Sequence, residues 1–295
     1  MKGRPAMTRG FLLKTRHLTD FFRNLALLGP SLRKFRDDNG FFLSSGIAFN
    51  ILINLIPLIL LLSALIATYL YNDREVLDHI RSYLRGVAPT LDSRIIQDLM
   101  DIIETRQMVG ILGFVGLVWF STFVFGSLQV ALDIVFRVEK SRGLLHGIGI
   151  DLLMIVFAGS LFATGMILGS VVSILRSYDG RAAVEIGPSV HWMVTYVVPF
   201  FLVCCSFFLI YKVVPNKKVH FSSVFQAAFI TGLSWEVAKH LFSWYIGRVA
   251  DYSIFYGSLS ALAIFVVWVY YSSMILVLGG EFAYFLEEHR RNDTA

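Results

Sequence analysis

Three ionisable residues, Glu236, Lys239 and His240, stand within five positions of one another in the otherwise apolar stretch GLSWEVAKHLFSWYIG. At about 100° per residue they share a helical face with Gly232, Ser243 and Gly247, while Leu233, Val237, Leu241, Trp244 and Tyr245 cover the rest. The i,i+3 spacing to Lys239 and the i,i+4 spacing to His240 let one carboxylate pair with either neighbour. Such a set can lock helix against helix as a neutralised pair, or it can meet a charged substrate group or a proton inside a bundle. Both readings stay open. A metal site is short of ligands here, since one Glu and one His do not fill a coordination shell, so no metal and no cofactor is expected.

A second set lies in AFNILINLIPLILLL, where Asn50, Asn54 and Pro57 fall at i, i+4 and i+7 on one face. Pro57 removes a backbone hydrogen bond and frees a carbonyl about one turn earlier, which predicts a kinked helix. The two Asn side chains either line a cavity or hydrogen-bond to neighbouring helices. Cys204 and Cys205 are adjacent, so their side chains diverge by about 100° and read as packing residues rather than a disulfide.

What these sets do depends on the medium around them. Of the 295 residues, 56% are hydrophobic and 16% charged, with a mean hydropathy of +0.66, more apolar than a soluble core of this size requires. Six apolar runs, about 41–71, 109–135, 148–175, 190–214, 221–247 and 253–286, are long enough to cross a hydrocarbon layer of ~30 Å. All are expected to be helices, because open sheet edges in lipid leave backbone groups unpaired. The predicted class is an all-α polytopic membrane protein with six transmembrane helices. Measured from Phe221, Glu236 lies ~22 Å along the fifth span, in its outer half. A charge at mid-bilayer costs roughly 2.5–3.5 kcal/mol, so the polar face should look into the bundle or toward water.

Charge placement orients the spans. Segments 1–40, 136–147, 212–220 and 287–295 hold 17 Lys and Arg, whereas 72–108, 176–189 and 248–252 hold 8, and most of these stand among the acids of 72–108. The positive-inside rule then places both termini in the cytosol. The pI of about 9.2 reflects this topology rather than nucleic-acid binding.

Segment 72–108 repeats apolar residues at helical spacing (Val76, Leu77, Ile80, Leu84, then Leu91, Ile95, Leu99, Ile102), which predicts an amphipathic hairpin on the outer face between the first two spans. It would cap the bundle, lie on the leaflet, or contact a second copy or a periplasmic partner. Leu18, Phe21, Phe22, Leu25 and Leu28 beside Lys14, Arg16 and Arg23 predict an interfacial helix within a cytosolic segment, 1–40. The transmembrane domain is then 41–286 and the cytosolic tail 287–295. Gly110, Gly113 and Gly116 predict close helix packing, Asp133 and Arg137 an i,i+4 ion pair, and Asp151 and Glu281, at the same cytosolic level, a solvated rim or, with Lys212, a polar ring.

Beyond AFNILINLIPLILLL, the stretches GILGFVGLVWF, LIYKVVPNKKVHF and LGGEFAYFLEE, with the run Tyr245, Tyr256-Gly257-Ser258, Trp268, Tyr270 and Gly280-Glu281, resemble the YihY/BrkB family of bacterial inner-membrane proteins over nearly all of residues 30–290. The resemblance implies that Tyr245, Tyr256, Gly257, Trp268, Gly280 and Glu281 belong to a family motif. It also carries two incompatible labels: a transfer-RNA nuclease, ribonuclease BN, and an exporter of lipid A precursors for the YhjD-like members. A metal nuclease needs clustered acids in an aqueous pocket, and Asp37, Asp38, Glu139, Glu287 and Glu288 are scattered among basic residues. The expectation is an inner-membrane protein that is not an enzyme and that moves or handles an amphipathic lipid, a lipid A precursor or a phospholipid, with membrane lipids as partners. The alternatives are a scaffold for a periplasmic partner and an ion-coupled carrier of a small solute.

Overall fold

The computed structural model describes residues 26–71, 105–139, 192–249 and 258–294, with parts of 149–170. All regular structure among them is helical. A short helix, α1 (Leu28–Asp37), precedes α2 (Gly40–Tyr71) and α3 (Arg106–Val135). A π-helical turn at Met193–Val197 leads into α4 (Val198–Val213), followed by α5 (Phe221–Val249) and α6 (Ser258–Thr294). The outer amphipathic segment, most of the interfacial stripe, Asp151, Tyr256 and Gly257 lie outside the described residues.

Helix α1 stops because Asn39 takes a left-handed conformation, φ 56°, which Asn tolerates better than most side chains. Gly40 follows, and a Cβ there would run into the Phe35 ring. Phe35 is thereby folded back and packs edge-on against Phe41, 5.1 Å between centroids.

Helices α2 and α3 form an antiparallel pair whose seam is written in small residues. A Cβ on Gly110 would touch Ala64, one on Gly113 would lie 2.7 Å from the Leu61 backbone nitrogen, and one on Gly116 would lie 3.0 Å from Pro57. One turn further on, Asn54 Nδ2 donates to Ser121 Oγ at 3.3 Å. The expected glycine packing is therefore present, and its partner is α2. Pro57 sits inside a continuous α2, buried against α3.

At its far end α3 closes with a left-handed residue, Arg137, φ 50°. Val138 N–H donates to Asp133 O and Arg137 N–H to Ile134 O, the hydrogen bonds of a Schellman motif. The next carbonyls, Val135 and Phe136, remain as acceptors at the negative end of the helix dipole. Lys34 takes the first and Lys217 the second.

Helix α6 packs against α2, α3, α4 and α5, and α5 packs along α4. The dry core gathers where α1, the end of α3, the α4–α5 loop and the second half of α6 converge; Leu132, Phe136, Tyr211, Val224, Val277 and Phe282 are fully buried there. Tyr211 donates from its hydroxyl to Leu276 O at 2.8 Å and lies over Gly279, where any side chain would collide with it. Away from this end the outward faces are apolar, with Ile56, Ile59, Trp119 and Val130 all exposed. In water that surface would be a severe liability; against lipid it is solvated.

Three helices have the length and apolarity of a membrane span: Gly40–Thr68, Arg106–Val135 and Leu262–Asn292. These answer to the first, second and sixth predicted runs. The fourth run yields only sixteen residues of regular α-helix, Val198–Val213. The fifth is long enough at 29 residues, but Gln226, Glu236 and Lys239 reduce its apolarity. The third run is described only in part.

Candidate functional site

Two features of the bundle combine polar chemistry with a place to act: a charged cluster at the converging end, and the seam between α4 and α5. The cluster is centred on Lys34. Its ammonium donates to Glu281 Oε2 at 2.6 Å, Asp38 Oδ2 at 2.6 Å and Val135 O at 2.8 Å, and lies 4.4 Å above the Tyr284 ring. All three N–H donors are thus used, as burial requires. Glu281 is 0% exposed, and its other oxygen, Oε1, has no hydrogen-bond partner among the described residues.

Around this pair the remaining charges form a shell. Arg137 approaches Asp38 at 3.7 Å. Lys217 also stands over the Tyr284 ring, 5.7 Å from its centroid, while donating to Phe136 O. Its partial burial, with repulsion from Arg291, lowers its pKa below the usual lysine value. His220 makes two contacts with Glu287, backbone N–H to Oε2 at 3.0 Å and ring Nδ1 to Oε1 at 2.7 Å, and Arg291 stands 3.6 Å from the same carboxylate.

Several sequence expectations are redirected here. Asp133 does not hold Arg137; its Oδ1 accepts from the Asn216 backbone N–H at 2.8 Å, because the left-handed turn at Arg137 swings that side chain toward Asp38. Glu281 pairs with Lys34 rather than Lys212, whose ammonium donates to Val219 O. Lys34 itself belonged only to a basic segment in the sequence, and its partner stands 247 residues away. No local spacing points to it.

The α4–α5 seam holds a groove of about 420 Å³ lined by aromatic and small apolar side chains: Phe201, Cys205 and Phe208 from α4 face Phe221, Phe225 and Phe229 from α5. Ring pairs stand toward its two ends, Phe208 with Phe221 at 5.0 Å and Phe200 with Phe229 at 5.7 Å. The groove opens sideways, since Phe201, Phe221 and Phe225 are exposed along its rim. Just past the groove the two helices approach closely: a Cβ on Gly232 would lie 2.6 Å from Cys204 Sγ.

One turn past Gly232 comes the α5 trio. Lys239 Nζ and the Glu236 carboxylate are 2.7 Å apart in the i,i+3 pair that their spacing predicts. His240 Nδ1 instead meets the Glu236 backbone carbonyl at 2.8 Å. Of the α2 set, Asn54 and Pro57 enter the α3 seam, whereas Asn50 donates back to Gly46 O within its own helix. No hydrogen bond among the described residues joins the α2 set to the α5 trio. Trp268 stacks in an aromatic group with Trp235 and Phe242, at 5.3 and 4.7 Å. Tyr245 is exposed, and Gly280 lies against Leu132.

A family model described as virulence factor BrkB matches residues 31–295. Among curated proteins, a UPF0761 membrane protein of Glaesserella parasuis is 27% identical over 203 residues, 68% of this chain and 70% of that one. One from Alteromonas mediterranea is 22% identical over 282 residues, 93% and 94% of the two chains. A third, from Chromohalobacter salexigens, is 26% identical over 289 residues, 97% and 68%. No solved structure matches the chain.

Proposed function

The chain belongs to the BrkB family of membrane proteins, and from that premise we propose that it handles an amphipathic lipid in the bacterial inner membrane, with six crossings, both termini in the cytosol and no chemistry performed on the lipid. One observation carries the reading: the groove between α4 and α5 has apolar walls and opens sideways past the exposed Phe201, Phe221 and Phe225. A site for a small polar solute needs several convergent polar groups, and this lining offers none beyond two thiols. An acyl chain needs only apolar contact and a lateral way in.

The α5 trio supplies a polar station along the same seam. Glu236 and Lys239 follow Gly232 by one to two helical turns, where a headgroup would travel while its chain stays in lipid. In this reading the pair is held ready by its own ion pair and exchanges that contact for the headgroup. Asn54 and Pro57, by contrast, serve the α2–α3 packing.

Movement of a labelled lipid in proteoliposomes tests this directly. The wild-type protein accelerates movement between leaflets. Glu236→Gln slows it by roughly tenfold or more, the factor that loss of one charge-assisted hydrogen bond produces, while the melting temperature in detergent holds. A packing pair behaves otherwise: Glu236→Gln would lower stability, and adding Lys239→Met would restore both stability and activity. That second pattern, or a wild-type protein that moves no lipid, overturns the reading.

A further inference from the structure

The groove does not end in more apolar surface. On α4, Phe201, Cys205, Phe208 and Lys212 stand at i, i+4, i+7 and i+11, within about 60° of arc on one face. The face that lines the groove therefore finishes, one turn beyond Phe208, in a lysine. Lys212 is exposed, and among the described residues its ammonium donates to a single acceptor, Val219 O, in the loop that joins α4 to α5. An ammonium has three donors. Two are left, one turn beyond Phe208 on the face of α4 that lines the groove.

We propose that Lys212 and the α4–α5 groove together form a binding site for one anionic phospholipid of the leaflet at the converging end, with an acyl chain along Phe201, Cys205 and Phe208 and the headgroup phosphate on Lys212. This rests on the lipid-handling reading and adds to it the charge of the lipid and the place where its headgroup docks. The dimensions agree. From Phe201 to Lys212 is roughly 16 Å along the helix, about half of the ~30 Å hydrocarbon layer, so a chain lying in the groove brings its headgroup to the level of Lys212. The charge agrees as well: Lys34 spends its donors on Glu281, Asp38 and Val135 O, whereas the exposed Lys212 spends one on Val219 O and stands on the face that lines the groove. A second copy of the chain would match the apolar walls but leave the Lys212 ammonium facing a neighbour's hydrocarbon surface.

The test is retention of added lipid by the purified protein in detergent, read by native mass spectrometry with phosphatidylglycerol and phosphatidylcholine of identical chains. The wild type retains phosphatidylglycerol over phosphatidylcholine by roughly fivefold, the factor that one lysine near an anionic surface supplies. Lys212→Gln brings the ratio to parity, and Lys212→Arg keeps it. Cys205→Trp, which fills the groove from an exposed position, lowers retention of both lipids. A preference that survives Lys212→Gln overturns the site. So does unchanged retention in Cys205→Trp, competition by inorganic phosphate alone, or efficient Cys205 to Cys205 crosslinking between copies with no lipid retained. Lipid movement in proteoliposomes separates this site from the broader reading. Equal retention of the two lipids by a protein that still moves lipid sinks the Lys212 site alone. The expected retention by a protein that moves none keeps the site and sinks the transport.

Discussion

Lys34 and Glu281 are buried ions whose attraction must offset two desolvation penalties, and the arrangement around them shows how: three hydrogen bonds and an aromatic face on the lysine. Glu281→Leu should then be among the most damaging single changes at this end, by about 3–5 kcal/mol, because it leaves the ammonium buried with one fewer counter-charge. Adding Lys34→Met should recover most of that loss, since Asp38 still has Arg137 nearby. Thermal unfolding of the single and double variants in detergent checks it, and equal stability of the two would show that the pair is not coupled. Local pairings were readable from spacing at this scale, as Glu236 with Lys239 shows. Partner choice over long separations was not. Asp133 had a cation four residues away and took a backbone N–H eighty-three residues away instead, because the turn geometry at Arg137 outweighed proximity in sequence.

Helices differ in how much of their role can be read from composition. Gly110, Gly113 and Gly116 announce a close approach, and it occurs; what they cannot announce is that α2, with Ala64, Leu61 and Pro57, is the surface approached. Gly113→Ala should cost about 1–3 kcal/mol, because the added methyl meets Leu61 backbone rather than a side chain that can turn away. Gly126→Ala on the same helix meets nothing within 4 Å and should be neutral or stabilising by up to about 1 kcal/mol through helix propensity. Comparing their melting temperatures separates packing from propensity, and a Gly126 variant as unstable as the Gly113 one would count against the seam. The aromatic groove was hidden for the opposite reason. Phe residues in a membrane span are unremarkable one by one, and only the antiparallel register of α4 and α5 brings Phe208 to Phe221 and Phe200 to Phe229.

For the whole molecule the question is how many times the chain crosses, and the contacts at the converging end bear on it. Lys34 before α2 touches Val135 at the end of α3, so α2 and α3 leave that end and return. Asn216 and Lys217 after α4 touch Asp133 and Phe136, so the stretch containing the third run and α4 also returns. His220 before α5 touches Glu287 late in α6, so the last two helices do the same. Three returns predict an even path, and the segments that meet are those the Lys and Arg count groups on one side. Charge supplies the missing sign: under the positive-inside rule, 17 basic residues against 8 predict that end in the cytosol. With Cys204 and Cys205 changed to Ala, a membrane-impermeant maleimide applied to intact spheroplasts should label Thr90→Cys and leave Lys218→Cys unlabelled until the membrane is opened. Lys218 is exposed, so protection there reports the membrane rather than burial in the fold. Label at 218 and none at 90 would invert the molecule and move the Lys212 headgroup site to the outer leaflet. Label at both would mean that the path between them does not cross.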